Sequence, residues 1–305
     1  MDHFIRRPSG LLVPPEPRIH RPHLCDLFGG NMMAGSSLVL VLFKLWAAGG
    51  GAGWGGTNPT GGGAGYVEFS ALLASGTAIT IEVGVRGWVN GYNYSRPYPA
   101  GGGENYLGGE HPQGGQGGGR SGIRIGATYL GVAGGGGGGG VDAGKGGAGG
   151  PSGQDGGSNM DFSGLTSAGR GATSTSGGAG GYGDGADGQS GAALQGGNAG
   201  FYSAGSSTGA GGGDGWYGGG GSNGYRRSGA GGGSNYINSA LATAIQNLGG
   251  NWQTQANASD PDCGGAGLGS PGSANPGNHG KVVIYINSTQ YVFNATGADQ
   301  TLITP

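Results

Sequence analysis

SGIRIGATYLGVAGGGGGGGVDAG, residues 121–144, passes without a break from alternating apolar residues into seven consecutive glycines, Gly134 to Gly140. The first half reads as two short strands. Ile123 and Ile125 precede a turn, and Tyr129, Leu130 and Val132 follow it. The second half has no side chain from which to build a core. Eighty-five of the 305 residues are glycine, about four times the roughly 7% of ordinary chains, and they concentrate between 49 and 280. Each loses more backbone freedom on folding than any other residue. The chain is therefore either an expanded coil there or a fold in which main chain packs on main chain.

Real β signals flank this region and decide for the fold. SLVLVLFKLW (37–46) reads as a strand buried on both faces, and GYVEFSALL (65–73) alternates around Val67, Phe69 and Ala71. TAITIEVGVRGW (77–88) puts Ile79, Ile81, Val83 and Val85 on one face and Thr80, Glu82 and Arg86 on the other. Residues 121–133 hold the two short strands, and KVVIYINSTQYVFN (281–294) reads as a hairpin turning near Asn287 to Thr289. Ile237, Leu241, Ile245 and Leu248 follow a helical stripe, with Asn238 or Ser239 as cap and Gly249 as stop. That spacing predicts a short helix over 238–248.

Between Gly134 and about Ser234 the larger aliphatic residues are only Val141, Met160, Leu165 and Leu194. Collagen is excluded, because glycine has no period of three and proline is nearly absent there. Leucine-rich and ankyrin repeats need recurrent apolar residues that are missing. The calcium-binding nonapeptide fails at Gly180 to Gly185, where glycine stands in place of the aspartate. A threefold, left-handed polyglycine II helix has no internal hydrogen bonds, so every N–H and C=O must find a neighbouring segment. Packed side by side, such helices bond to one another, and only glycine lets them approach closely enough. Polar or aromatic clusters then mark turns: Gln154-Asp155, Ser158 to Phe162, Ala172 to Ser176, Ser206 to Thr208 and Tyr225 to Arg227. The expected fold is mainly β, a β-sandwich interleaved with a bundle of polyglycine II helices over about 134–234.

Residues 1–36 are different material. Pro8, Pro14, Pro15, Pro17 and Pro22 stand among Arg6, Arg7, Arg18, Arg21, His20 and His23, which favours extended backbone and prevents helix. An arm lying on a partner's surface and an unstructured tail both fit that composition. We take Arg6, Arg7, Pro14, Pro15, Arg18 and Arg21 as the attachment residues, ahead of a glycine-rich domain spanning 37–305.

A resemblance follows from the ordered set of short stretches. TYLGVAGGGGGGG (128–140), preceded by GGGRSGIRI (117–125), resembles the glycine-rich domain of anaplastic lymphoma kinase and leukocyte tyrosine kinase receptors, and glycine-rich proteins of bacteria and their phages. KLWAAGGGAGWGG (44–56), ITIEVGVRG (79–87), GWYGGGGSN (215–223), GAGGGSNYINSAL (229–241) and GNHGKVVIYI (277–286) continue the match in order. The resemblance covers about 37–287. It implies a β-sandwich interleaved with polyglycine helices. In the receptors this module binds a protein cytokine, and in phages similar glycine lattices form the tips of tail-fibre adhesins. No transmembrane helix or kinase follows here, and the proline-arginine arm has no counterpart in the pattern.

The chain carries net charge −2 with 10% charged residues, so no electrostatic case for nucleic acid arises. The apolar run at Leu38 to Phe43 is too short to span a bilayer, and no cleaved leader is expected. Cys25 and Cys263 lie in opposite terminal regions and read as unpaired thiols. The five histidines (3, 20, 23, 111 and 279) have no metal-ligand spacing. Neither a GxSxG elbow nor a phosphate loop occurs, and no cofactor is implied. Asp155, Asp184 and Asp187 read as solvated turn residues. Asn-x-Ser/Thr triplets at Asn93, Asn257, Asn287 and Asn294 count little in a chain so rich in these residues.

Two clusters stand out as candidate recognition residues. Tyr92, Tyr94, Arg96 and Tyr98 lie in NGYNYSRPYP, and Trp216, Tyr217, Tyr225, Arg226 and Arg227 lie in GDGWYGGGGSNGYRR. Tyrosine, tryptophan and arginine dominate binding hot spots. The bland alternative is that these rings cover the bundle edge and shield it from water. The expectation is a non-enzymatic phage virion protein. Its arm contacts other virion proteins, and its loops contact a host surface protein or glycan, as in a tail-fibre adhesin. A capsid or tail decoration protein and a secreted or cell-surface binding module are the alternatives, and a homo-oligomer is left open.

Overall fold

The computed structural model describes residues 37–55, 59–88, 96–102, 114–141, 144–157, 167–183, 186–201, 208–224, 228–272 and 275–305. The candidate residues of the arm, together with Tyr92, Tyr94, Tyr225, Arg226 and Arg227, lie outside them. Ten strands form two antiparallel sheets of five. The first contains β1 (Leu38–Trp46), β2 (Tyr66–Ala74), β7 (Thr243–Leu248), β8 (Lys281–Ile286) and β9 (Thr289–Asn294), in the order β7-β2-β1-β8-β9. The second contains β3 (Ala78–Glu82), β4 (Ser121–Ile125), β5 (Thr128–Ala133), β6 (Tyr236–Ile237) and β10 (Gln300–Ile303), in the order β10-β3-β4-β5-β6.

The two sheets face each other across one apolar core, in a sandwich-like arrangement. Val41, Phe43 and Leu45 of β1, Val67 and Phe69 of β2 and Val282 and Ile284 of β8 meet Ile79, Ile81 and Ile123 of the second sheet. All ten are fully buried, and burying each such side chain contributes about 1.5–3 kcal/mol. Phe43 stacks on Phe69 with centroids 4.9 Å apart. Gly131 of β5 makes room for this pair, since a Cβ there would lie 2.2 Å from the Phe69 ring.

Four expectations change. Residues 238–248 do not form a helix. Asn238 does begin a turn, its carbonyl accepting from the Leu241 and Ala242 N–H groups at 3.0 and 2.9 Å. Thr243 to Leu248 then pair with the otherwise open edge of β2, Tyr66 opposite Leu248. A free sheet edge offers a whole ladder of bonds, and this outweighs a local helical preference. Secondly, β1 is not buried on both faces, because Leu38 and Leu40 are 51% and 60% exposed on its outward side. Thirdly, Gln154-Asp155 is no turn. Gln154 donates through its N–H to Ala148 O and accepts from Gly232 N–H. Strand β3 also stops at Glu82, short of the expected 88.

Beyond the sheets the strands continue as glycine-rich segments: β1 into Ala47–Gly53, β5 into Gly134–Gly140, and Gly61–Gly65 and Gly114–Arg120 leading into β2 and β4. The run Gly134–Gly140 shows how these are held. Gly135 and Gly138 donate to Asp214 and Gly211 (2.7 and 2.9 Å), Gly136 and Gly139 to Ala48 and Gly51 (3.0 and 2.9 Å), and Gly137 and Gly140 to Gly147 and Gly144 (2.8 and 3.1 Å). Their carbonyls behave alike. Gly134 and Gly137 accept from Gly65 and Gly62, Gly135 and Gly138 from Gly233 and Ala230, and Gly136 and Gly139 from Gly118 and Gly115. Residues three apart thus reach the same neighbour, and this one run is bonded to six surrounding segments. Such a period of three belongs to neither an α-helix nor a β-ladder.

Close approach is what requires glycine here. A Cβ at Gly136 would lie 1.9 Å from the Gly62 carbonyl oxygen, and one at Gly138 would lie 2.0 Å from that of Gly115. These obstacles are backbone and cannot rotate away. Gly136→Ala is expected to cost about 1–3 kcal/mol or more by overpacking. Gly272→Ala, with nothing within 4 Å of its Cβ site, should stay within about 0.5 kcal/mol. Denaturant unfolding of the two variants checks this, and equal stabilities would contradict the packing described.

Candidate functional site

The glycine bundle has two ends. At the end joined to the sheets the chain turns at Thr173–Ser176, where Thr173 N–H donates to Ser176 O, and at Ala192–Gln195, closed by reciprocal main-chain bonds. It also turns at Asp214–Tyr217, which Trp216 N–H ties to Ser234 O. At the far end the described segments stop and resume around a common layer. Gly140 bonds Gly144, Asn223 bonds Ser167, Gly224 bonds Ala186, Ala186 bonds Phe201, Gly114 bonds Thr208, and Ala52 bonds Asn275. Phe201 also pairs with Thr208. The stretches 103–113, 142–143, 158–166, 184–185, 202–207, 225–227 and 273–274 lie outside the described residues. Gly102, which precedes the first of them, sits further along the bundle, bonded to Gly212 and Gly117. Tyr225, Arg226 and Arg227, among the expected recognition residues, lie outside the described residues.

The other expected recognition residues stand elsewhere. Trp216 and Tyr217 are at the sheet end. Trp216 stacks on Tyr236 (centroids 4.0 Å, 13°) and meets Tyr129 and Tyr217 edge-on at 6.2 and 6.4 Å. Tyr98 donates its hydroxyl to Asp299. Arg96 donates to Gly196 O at 3.4 Å and, with the Gln195 amide oxygen turned toward it, to that side chain. Both clusters contribute here to a single patch on the outer face of the second sheet.

A buried ionic network lies under that patch, and the sequence reading did not find it. Arg120, 8% exposed in its side chain, donates through Nε to Glu82 (3.0 Å) and through Nη1 to Asp214 (2.7 Å). It also donates to the Leu194 carbonyl (3.0 Å) and the Tyr129 hydroxyl (3.1 Å). Tyr129 passes its proton bond on to Glu82 (2.7 Å), and Arg124 joins Glu82 (3.4 Å) to Asp299 (2.5 Å). Burial, reinforced by Glu82 against the pull of Arg120, pushes the Tyr129 hydroxyl up to about 12. Burial also lifts the Asp214 carboxyl above the ordinary aspartate range, and Arg120 holds back only part of that. Every strong donor here faces an acceptor of the same molecule. The arrangement fastens the 192–195 and 214–217 turns onto the sheet. The available signal was the placement of rare charges, Arg120 and Asp214, directly beside glycine runs, where a charge has to be buried.

A second polar group closes the outer face of the first sheet. Lys44 bridges Asp260 and Asp262, both at 2.9 Å. Asp262 also accepts from Tyr285 (2.8 Å) and Gln290 (2.8 Å). Burial raises the Asp262 carboxyl, but the bonds from Lys44, Tyr285 and Gln290 outweigh it and leave the group below its usual range. Beneath this loop Trp46, Tyr66, Cys263 and Val283 form a small apolar cluster, with Cys263 a free thiol. On the bundle's flank the Arg86 guanidinium covers Trp88 at 4.3 Å. The Arg86 N–H donates to Nδ1 of His279 (3.3 Å), and burial together with the Arg86 charge holds that imidazole below its usual range.

Among the described residues no group of three His, Cys, Asp or Glu side chains could hold a metal ion. No protein-family model matches the chain, and no curated protein matches it.

Replacing Arg120 with methionine leaves Glu82 and Asp214 buried without their counter-charge. Removing one partner of such a pair costs about 3–5 kcal/mol. Denaturant unfolding of Arg120→Met should show a loss of that size. A loss below about 1 kcal/mol would mean that the network does not fasten the bundle.

Proposed function

We propose that this chain is a non-enzymatic virion protein of a phage, a tail-fibre or tail-tip adhesin of the glycine-rich family it resembles. In this reading the threefold-bonded segments are polyglycine II helices. They act as a rigid scaffold that carries recognition loops at the far end and is anchored by the sandwich at the other. The observation that supports it is the bonding of Gly134–Gly140 to six surrounding segments through main chain alone, which carries a bundle away from the sheets without help from side chains. Because the scaffold is held by main-chain bonds, loop sequences there can change without disturbing it. The near-end aromatics Trp216 and Tyr98 are engaged with the fold. We therefore assign the recognition role first to Tyr225, Arg226 and Arg227, and next to Tyr92 and Tyr94. The partner is a host surface protein or glycan, and residues 1–36 attach the protein to the particle.

One observation favours the alternative of a decoration protein. Leu38, Leu40 and Leu72 leave an apolar strip on the outer face of the first sheet, exposed by 51%, 60% and 52%. A strip of that kind suits a surface pressed against other particle proteins.

Binding to host cells separates the two. Alanine at Tyr225, Arg226 and Arg227 together should reduce binding of the purified protein at least tenfold, while Tm stays within about 2 °C of the parent. Unchanged binding, or no binding by the parent itself, would favour the decoration role. Loss of particle incorporation on deleting residues 1–36 is expected under both virion readings and not for a secreted module.

A further inference from the structure

Trp252 occupies a position where a chain with so much glycine would by default place one. Its φ is +47°, in a two-residue turn closed by reciprocal Asn251 and Thr254 main-chain bonds, both 2.9 Å. A bulky residue at positive φ is an outlier, and such strain persists only where the surroundings impose it. The surroundings are on hand. Trp252 N–H donates to Gln154 Oε1 (3.0 Å), and Trp252 O accepts from Gly63 N–H (2.5 Å), so the turn is pinned to two glycine segments. The indole does not repay the strain by packing, since it is 43% exposed and belongs to neither apolar cluster.

Beside it stands an uncompensated charge. The Lys145 ammonium lies over the indole, 5.9 Å from its centroid. Among the described residues it has no carboxylate partner. Asp155, next in sequence to Gln154, is already taken by Arg170 (2.6 Å) and by the Gly171 N–H (2.8 Å). The turn therefore offers an aromatic face fixed in place and, over it, a cation on a flexible stem with no carboxylate partner among the described residues.

We propose that Trp252 and Lys145 form a binding site for an acidic pyranose, a uronic acid residue of a polysaccharide. The apolar C–H face of the sugar lies on the indole, as aromatic side chains offer a large rigid contact surface. Its carboxylate draws Lys145 off the ring into a charge-assisted bond. An isolated peptide carboxylate would engage Lys145 but would gain nothing from an indole held out at the cost of backbone strain. Trp252 stands on the bundle's flank, tied to Gly63 and Gln154, and Lys145 reaches it from the segment that begins at Gly144.

Titration of the full-length protein with trigalacturonate, by calorimetry at low salt, tests this. Saturable binding is expected, weakening as salt rises. Trp252→Gly should lower affinity about tenfold or more while Tm holds or rises, because glycine relieves the strained φ. Lys145→Gln should weaken trigalacturonate about tenfold and leave neutral galactotriose unaffected. The proposal falls if the parent does not bind trigalacturonate, or binds galactotriose equally well. It falls also if Trp252→Gly retains the affinity, or if that variant loses Tm, which would make the indole a cover for the bundle.

Discussion

Single main-chain hydrogen bonds between glycine segments, recurring every third residue, are the interaction on which this molecule depends. One such bond contributes about 0.5–1.5 kcal/mol net, whereas fixing one residue's backbone costs about 1–2 kcal/mol, and glycine lies at the upper end of that cost. The bonds alone therefore do not hold the bundle together. The difference is supplied where the segments are already ordered, as direct extensions of strands. Gly134–Gly140 leaves β5 with its direction set, Ala47–Gly53 leaves β1, and Gly61–Gly65 enters β2. The apolar core between the sheets aligns these strands, and the bundle extends that alignment with atoms of the backbone only.

Because the bundle has room for few side chains, Gln116, Ser222 and Asn223 among them, most of its chemistry is driven to its boundaries. At the sheet end the boundary is closed: Arg120, Glu82, Asp214 and Tyr129 satisfy one another, Trp216 rests on Tyr236, and Asn235 bridges to β2 and β7 through bonds to Tyr66 O, Asn247 and Leu248 O. At the other end the described segments are linked by main-chain bonds such as Gly114 to Thr208 and Asn223 to Ser167. Trp252 on the flank is an aromatic ring held outward by a strained turn instead of folded against the glycines.

Much of this was legible in the residues. Strict alternation in TAITIE, the apolar run KVVIYI, and the apolar-to-glycine switch at Ala133-Gly134 mark strands and their ends without reference to anything distant. The turn at Asn287-Ser288 was equally local, both residues taking positive φ (48° and 66°). The misread elements were set by distant partners. Nothing within residues 238–248 reveals that the edge of β2 waits for them, and the helical stripe is an accident of spacing. The outward exposure of Leu38 and Leu40 depends on how far the loop carrying Asp260 and Asp262 reaches along the sheet. The Arg120 network joins positions 82, 120, 129 and 214, and no pattern in one stretch could assemble it. Composition did anticipate the aromatic clusters, but whether a ring faces outward or rests on a neighbour is a tertiary matter. Trp216 and Tyr98 rest on neighbours.

Native-state hydrogen exchange of the Gly135 to Gly139 amides in the intact protein tests the central claim most directly. If these N–H groups are bonded to neighbouring segments, they exchange only with opening of the sandwich, as slowly as the amide of Phe43 in β1. Exchange at the rate of a free chain while Phe43 stays protected would mean that the glycine segments are not bonded to one another, and the scaffold described here would not exist.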